Sequence, residues 1–274
     1  ISTGIGEVAL VSILLVFSQS LFAQNKDDAP EWDRYPVLGV PLLAEAPMID
    51  GNVERNEWRN ALKLPPLVMM REGVTADAQT EVFIGYDERS LTLAWRVHRP
   101  SGDPLRTANT KPGYVEGRSV WMDDIMELFF YPNRTGNTSI SFVGNAAGAY
   151  GDGRVGSGGP TDFEPSWNWT YAAREVDNGW EGELAIPFTE LVNAPPQPGD
   201  LWGLEIWRNN KSPAARIDTL AQSDRLLNKF AKLTFLGPSP AFRVLKIGPI
   251  DENSLGLMGE VVNNTGSNQA VNVE

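Results

Sequence analysis

The sequence predicts an all-β protein: an antiparallel β-sandwich with one or two short helices, followed by the start of a second β-sandwich domain. Short apolar runs alternate with turn clusters along most of the 274 residues, which include 26 glycines and 20 prolines. Segments with the apolar spacing of a helix are few and short. Many short strands joined by glycine- and proline-rich turns are typical of a sandwich.

The first element is an N-terminal apolar run of ten residues, 8–17. A membrane-spanning helix needs about 20 apolar residues, so the run resembles the hydrophobic part of a signal peptide more closely. We expect a signal peptide over residues 1–23, incomplete at its N-terminus, with cleavage after Ala23. An uncleaved anchor is the alternative. Both predict an exported protein, secreted or periplasmic, with a linker over residues 24–40.

The body of the chain reads as hairpins over residues 41–237. Apolar runs flank turns at 87–90, at 133–137 and at 177–179, and a glycine-rich segment covers 144–160. Asp-Asn-Gly at 177–179 is a strong signal for a tight hairpin turn. The segments "DLWGLEIWRNN" and "KFAKLTFLG" are expected to complete the set of strands.

Two segments have the pattern of a short helix. "NVERNEWRNAL" places Trp58 and Leu62 on one face, with Asp50 or Asn52 as the N-cap, and "PFTELVNAP" is long enough for one turn. After residue 240 short alternating strands begin again. We therefore expect residues 241–274 to be the beginning of a second, truncated β-rich domain.

Composition restricts the function. A net charge of −12 disfavours nucleic acid and anionic membranes as partners and suits a neutral ligand or a cation such as calcium. The absence of cysteine excludes disulfides and thiolate chemistry, and the single histidine, His98, makes a histidine-based catalytic triad improbable. No nucleophile elbow, Walker loop or zinc-protease motif is present.

Charged residues interrupt one apolar strand, "SVWMDDIMELFFYPN" at 119–133. Because side chains alternate along a strand, one face carries Met122, Met126, Leu128 and Phe130, and the other carries Trp121, Asp123, Ile125, Glu127 and Phe129. A bend at 122–124 is expected to bring Trp121 and Glu127 together.

Asp124 and Glu127 point to opposite sides, so they cannot form a glycosidase pair. Trp121 with Glu127 suits sugar binding, in which Arg118 is also a candidate. Packing of Trp121 on a loop and pairing of Glu127 with Arg118 is the alternative.

Five segments together resemble carbohydrate-binding module family 9, whose members are found attached to xylanases. They also resemble the wider group of DOMON-like sandwich domains related to that family. They are "MIDGNVERNEWRNAL", "VFIGYDERSLTLAWRV", "WMDDIMELFF", "GWEGELAIPFTEL" and "PGDLWGLEIWRNN", spread in order over about 42–237. The resemblance implies an immunoglobulin-like jelly roll, and carbohydrate as the partner.

The resemblance also implies a site. Its first clamp tryptophan and its hydroxyl-binding glutamate match Trp121 and Glu127. Its arginine on the following strand is replaced by Ser141, and its second clamp tryptophan is absent from "AQSDRLLNKF". Trp167 or Trp169 is the predicted substitute, and a hydrophobic cap over the sandwich is the alternative role for these two residues.

Two metal-dependent roles are also considered. The family binds structural calcium, for which Asp123, Asp124 and Asp152 are the predicted ligands, with Asp50 as a further candidate. Solvated turn acids are the alternative interpretation. The haem-binding relatives of the fold use methionine and histidine ligands, here His98 with Met122 or Met126.

The predicted function is non-catalytic binding of a polysaccharide or oligosaccharide such as xylan. Such a module would target a larger secreted glycan-degrading or surface protein to its substrate, and the catalytic domain of a glycoside hydrolase would then lie elsewhere in the polypeptide. The alternatives are a structural or adhesion module without sugar binding and, more remotely, a haem-binding domain.

Overall fold

Two β-sheets pack face to face in the computed structural model, which describes residues 9–16, 37–99, 105–211, 215–238, 241–250 and 254–262. The main sheet has ten strands and the small sheet has five. The main sheet contains β2 (Val37–Val40), β4 (Val68–Met69), β7 (Gly113–Tyr114), β8 (Ile125–Tyr131), β9 (Thr138–Asn145), β10 (Ala149–Gly156), β11 (Thr161–Asp162), β14 (Leu201–Asn210), β15 (Arg216–Thr219) and β16 (Ala231–Phe235). The small sheet contains β3 (Leu62–Lys63), β5 (Thr80–Tyr86), β6 (Ser90–His98), β12 (Thr170–Val176) and β13 (Gly179–Pro187).

Strand order confirms the predicted sandwich. In the main sheet the strands follow the order β11-β10-β9-β8-β14-β15-β4, with β16 also paired to β14. In the small sheet the order is β12-β13-β6-β5-β3. Pairing is antiparallel in both sheets except between β10 and β7 and between β16 and β2.

Alternating side chains of both sheets form the core. Met126, Leu128 and Phe130 of β8 are fully buried against residues such as Leu93 and Trp95 of β6. The face of β8 predicted to be the core face is therefore the core face from residue 126 onward. The opposite face of the main sheet carries Ile125, Glu127 and Phe129, and we call it the outer face.

Turn chemistry accounts for the hairpins. Asp87 accepts hydrogen bonds from the backbone N–H groups of Arg89 and Ser90, which closes the turn between β5 and β6. Asp177 and Asn178 form the predicted two-residue turn between β12 and β13. Gly179, which follows, has a positive φ of 153°.

Helix is limited to one α-helical turn, α1 (Phe188–Leu191), and three 3-10 turns at Ser119–Met122, Pro132–Arg134 and Leu227–Lys229 within the described residues. The turn at α1 is as predicted. The helix predicted for residues 52–62 is wrong, since this segment forms successive turns. Its Trp58 is instead held by tertiary contacts, because its indole N–H donates to the buried Glu183 at 2.8 Å.

A separate three-stranded sheet contains β1 (Ala9–Val16), β17 (Ala241–Ile250) and β18 (Ser254–Val262). The strand β1 lies in the stretch expected to be a signal peptide, which stays a prediction, as does the second domain over 241–274. Residues 24–36, 251–253 and 263–274 lie outside the described part. Among the described residues, no helix is long and apolar enough to cross a membrane.

The sandwich begins earlier than the sequence predicts. The strand β2 pairs in parallel with β16, Val37 opposite Lys232 and Val40 opposite Phe235. Residues 37–40 therefore belong to the sandwich and not to the expected linker over 24–40.

Candidate functional site

The candidate site lies on the outer face of the main sheet, where a 3-10 turn folds back over β8. Residues Ser119–Met122 form this turn, and β8 begins only at Ile125. The prediction that the strand includes Trp121 and Met122 is therefore wrong, and Met122 is 52% exposed instead of facing the core. The expected bend is present, because the turn places Trp121 beside Glu127.

A hydrogen bond joins the two predicted sugar-binding residues directly. The indole N–H of Trp121 donates to Oε1 of Glu127 at 2.8 Å, and the hydroxyl of Ser141 donates to the same oxygen at 2.7 Å. Glu127 is only 4% exposed. The two side chains are therefore coupled as predicted, but the carboxylate is not laid out on an open surface.

The ring of Trp121 is half-buried and held in place on two sides. It meets Phe163 edge to face, with ring centroids 4.9 Å apart. It also lies over Gly151 of β10, where an added Cβ would come within 3.1 Å of the ring. The glycine leaves room for the indole, and the hydrogen bond to Glu127 fixes its orientation.

Burial raises the pKa of the Glu127 carboxyl above its usual value. The hydrogen bonds from Trp121 and Ser141 oppose this rise, as do the positive charges of Arg225 and Lys211. Both protein hydrogen bonds go to Oε1, and Oε2 accepts none from the described residues. Oε2 is therefore the oxygen of Glu127 that has no donor among those residues.

Sequence reasoning missed two residues next to Glu127. Trp207 of β14 is directly opposite Glu127 in the sheet, and the guanidinium of Arg225 lies over its ring, 5.2 Å from the centroid. The indole N–H of Trp207 is buried and has no hydrogen-bond partner in the part of the chain that the structure describes. Arg225 comes from "AQSDRLLNKF", the run in which the sequence lacks a second clamp tryptophan. Alternation along β14 would have placed Trp207 on the outer face, but nothing local indicates that Arg225 reaches it.

A buried acid positions the loop that carries Arg225. Glu205 of β14 accepts hydrogen bonds from the Thr219 hydroxyl and from the N–H groups of Ala221 and Ser223, at 2.8–3.1 Å. The loop also contains non-glycine residues at positive φ: Gln222, Asp224 and Arg225. Such backbone is strained, and the surrounding structure must hold it.

Arg118 makes no ion pair with Glu127 among the described residues, and its predicted part in sugar binding stays a prediction. Its side chain is exposed, and its carbonyl accepts the backbone N–H of Trp121 at 3.2 Å, which closes the 3-10 turn. The cations that act on Glu127 are Arg225 and Lys211. The predicted pairing of Arg118 with Glu127 is therefore not formed.

Trp167 and Trp169 lie on the other side of the main sheet from Trp121. Asp152 of β10 accepts the indole N–H of Trp169 at 2.9 Å and the backbone N–H of Trp167 at 3.3 Å. The adjacent Gly151 contacts Trp121, and neighbouring residues of a strand face opposite sides. Neither tryptophan can therefore serve as the second jaw for Trp121. Trp169 is buried in the core, which is the alternative role, whereas Trp167 is half-buried.

The three predicted calcium ligands hold loops. Asp123 accepts hydrogen bonds from the backbone of Ala108 and from Asn109 and Asn145, and Asp124 accepts the backbone N–H groups of Arg106 and Lys211. Asp152 is bound to Trp169 as above.

These contacts do not fit a calcium ion held by Asp123, Asp124 and Asp152 together. No cluster of three or more acidic or histidine side chains suited to a metal occurs in the part of the chain that the structure describes. The fourth candidate, Asp50, uses its carboxylate to accept the backbone N–H of Asn52 at 2.8 Å. Calcium binding through other groups stays a prediction.

The residues considered as haem ligands, His98, Met122 and Met126, differ in burial and lie on different elements. His98 is exposed at the end of β6, whereas Met126 is fully buried in the core and Met122 is exposed beside the outer face. Haem binding therefore has no support from a ligand pair in the structure.

Comparison with solved structures gives the fold. A carbohydrate-binding module of family 9 from Caldicellulosiruptor kristjanssonii, in complex with cellotriose, is 17% identical over 78% of this chain and 99% of its own, with a TM-score of 0.52. The same type of module in complex with glucose is 17% identical over 77% and 100%, with a TM-score of 0.54. A protein from Bacteroides uniformis that has been assigned a carbohydrate-binding role is 14% identical over 73% and 99%, with a TM-score of 0.57.

No protein-family model and no curated protein sequence matches the chain. The structural likeness nevertheless covers nearly the whole of each solved module. The chain therefore has the β-sandwich fold of carbohydrate-binding module family 9, as its sequence segments predict.

Proposed function

We propose that this chain is a non-catalytic carbohydrate-binding protein, and that it binds a neutral saccharide on the outer face of the main sheet. Solved modules with this fold are complexed with cellotriose and glucose. One observation in this chain carries the proposal: the half-exposed indole of Trp121 is hydrogen-bonded to Glu127, whose second carboxylate oxygen has no donor among the described residues.

Each group has a distinct part in the proposed site. The indole face of Trp121 stacks on the C–H face of a sugar ring, and Oε2 of Glu127 accepts a hydroxyl. Arg225, whose guanidinium lies over the ring of Trp207, donates hydrogen bonds to further hydroxyls. A few fixed polar groups within an apolar surround are sufficient to orient a small ligand. Asp124 is bound to backbone N–H groups, so it is not an acid partner for Glu127 in hydrolysis.

The wider role is also a proposal. An exported protein that uses this site would tether a larger glycan-degrading or surface protein to polysaccharide, with xylan and cellulose as the first substrates to test. The support is the N-terminal apolar run over residues 8–17 and the binding partners of the structural neighbours.

A structural or adhesion module without sugar binding is the second candidate. It is favoured by the packing of Trp121 against Phe163 and by the two hydrogen bonds that already engage Glu127. In that case Trp121 would only close the outer face.

Calorimetric titration with cellotriose and xylotriose, in calcium and in chelator, separates the two candidates. Trp121→Ala is expected to weaken binding by about 1–3 kcal/mol, taking base–aromatic stacking as the analogue. The matched control is Met122→Ala, which removes an exposed neighbour from the same 3-10 turn and should bind as the parent does. Equal affinity of Trp121→Ala and the parent would rule out the outer face as the site.

A further inference from the structure

A concave surface lies at one end of the sandwich, and neither Trp121 nor Glu127 is part of its lining. It encloses about 860 Å³, and we call it the end groove. Its walls come from both halves of the sandwich, since Asn133 follows β8, Arg154 belongs to β10, and Glu190 belongs to α1 beside the small sheet. This volume is in the range typical of small-molecule sites, which is about 300–1,000 Å³.

An aromatic ring forms part of the groove lining. Trp167 is half-buried and meets Phe142 of the core edge to face, at 6.1 Å between centroids. The guanidinium of the exposed Arg154 lies 5.8 Å from its centroid. The indole is therefore anchored on the core side by Phe142, and the exposed Arg154 lies close to its ring.

Hydrogen-bonding groups of the groove are held in place and partly unused. Asn133 has a left-handed backbone with φ of 51°, and its Oδ1 accepts the indole N–H of Trp202 at 3.0 Å. That bond fixes the amide and leaves its Nδ2 as a donor. Glu190 uses Oε2 for the N–H of Asn168, and Asp200 uses Oδ2 for the N–H of Gln197. The second oxygen of each acid is available as an acceptor.

The mixture of these groups defines the class of ligand. The groove lining combines the cation of Arg154 with the carboxylates of Glu190 and Asp200, so a strongly charged ligand of either sign meets a like charge. A neutral molecule with many hydroxyl groups can accept from Arg154 and Asn133, donate to Glu190 and Asp200, and lie against Trp167.

We propose that the end groove is a second saccharide site, which binds a short neutral oligosaccharide independently of Trp121. The two sites lie on opposite faces of the main sheet, because Trp121 contacts Gly151 and the segment of Trp167 contacts Asp152. The proposal shares the ligand class of the proposed function but none of its residues.

The test is calorimetric titration of the full chain with cellohexaose and xylohexaose. The variants are Trp121→Ala, Arg154→Ala and Trp167→Ala, singly and with Trp121→Ala as the background. In that background, loss of either groove residue is expected to weaken the remaining binding about tenfold or more. Arg154 is exposed, so Arg154→Ala is expected to keep the fold. This variant therefore tests the groove even if Trp167→Ala fails to fold. Arg89→Ala, an exposed arginine in a turn of the small sheet, is the control.

The outcomes distinguish this proposal from the outer-face site. Binding that survives Trp121→Ala and falls with Arg154→Ala supports the end groove. Binding abolished by Trp121→Ala alone overturns the end groove and leaves the outer-face site standing. Unchanged affinity in Arg154→Ala and Trp167→Ala also overturns the end groove, and a parent protein that binds neither sugar overturns both.

Discussion

At the scale of single residues, the outer face is organised by a buried carboxylate. Glu127 lies between Trp121 and Ser141, both of which donate to it, and opposite Trp207. Burial penalises the charged form, and neither hydrogen bonds nor nearby cations fully offset the penalty, so the pKa is raised. The hydrogen bonds from Trp121 and Ser141 are therefore what most favours the charged form of this buried carboxyl.

The pH dependence of stability checks this picture of Glu127. A raised pKa in the folded state means that the folded protein binds more protons than the unfolded one, so this carboxyl destabilises the fold increasingly as pH rises from the unfolded pKa through the folded pKa. Glu127→Gln keeps an oxygen for Trp121 and Ser141 but removes the charge. We therefore expect Glu127→Gln to be more stable relative to the parent at pH 7 than at pH 4. Stability here is the free energy of unfolding, and the quantity compared is the value for Glu127→Gln minus the value for the parent.

Urea unfolding at the two pH values measures this difference. Other buried acids with raised pKa values, such as Glu183 and Asp152, are present in both proteins and cancel. A relative stability that is the same at pH 4 and pH 7 would contradict the raised pKa of Glu127.

The neighbouring acid Asp123 has a structural role, because its carboxylate accepts hydrogen bonds from other segments of the chain. Asp123 is fully buried and accepts four hydrogen bonds, from the backbone N–H groups of Ala108 and Asn109 and from the side-chain amides of Asn109 and Asn145. We expect Asp123→Ala to lower the unfolding free energy by about 3 kcal/mol or more, because buried donors lose their acceptor. Chemical denaturation in calcium and in chelator measures it.

The exposed Asp162 supplies the control for Asp123. Its carboxylate accepts only the N–H of Glu164 at 3.1 Å, so Asp162→Ala should change stability by no more than about 0.5 kcal/mol. A loss in Asp123→Ala that appears only when calcium is present would show instead that Asp123 is a calcium ligand.

At the scale of elements, local signals predict strands and turns but not the irregular segments that build the site. The period-2 pattern identifies the core face of β8, and Asp-Asn-Gly identifies a hairpin, because both signals act within a few residues. Local patterns do not predict the 3-10 turn at Ser119–Met122. It depends on Gly151 making room for an indole and on the distant Ser141 sharing Glu127.

The same limit applies to the second side of the site. Arg225 is placed by a loop that Glu205 holds through tertiary hydrogen bonds, with backbone at positive φ that no residue type in the run predicts. The segments that resemble the family include both Trp121 and Glu127, which the fold joins by a hydrogen bond. The sequence gives no sign that Arg225 lies near them, because its position depends on contacts far along the chain.

The hairpin between β12 and β13 gives a sharp test at this scale. Gly179 has φ of 153°, and an added Cβ would lie 1.7 Å from the carbonyl oxygen of Val97 on β6. We expect Gly179→Ala to destabilise the protein by about 1–3 kcal/mol, because neighbouring backbone must move. Thermal unfolding compares it with Gly156→Ala, a strand-end glycine whose added Cβ meets nothing within 4 Å. Equal losses in the two variants would contradict the crowding at β6.

At the scale of the whole molecule, the sandwich places two candidate sites on opposite faces of its main sheet. The main sheet separates the two sites, and on its inner side it packs on a core of large side chains that includes Trp95, Trp180 and Trp202. Because the two sites share none of their residues, we expect the outer face and the end groove to bind independently. The stability of the sandwich also depends on the edge strands of its main sheet, and β2 is one of these strands.

The last prediction concerns that edge. Leu38 and Val40 of β2 are 6% and 0% exposed, and Val40 also accepts the backbone N–H of Leu236 at 2.8 Å. Burial of each such side chain contributes about 1.5–3 kcal/mol. A fragment of residues 41–238 should therefore be less stable than one of residues 37–238 by about 3 kcal/mol or more, measured as the urea unfolding free energy. Equal stability of the two fragments would mean that the sandwich starts at residue 41 and that β2 is dispensable.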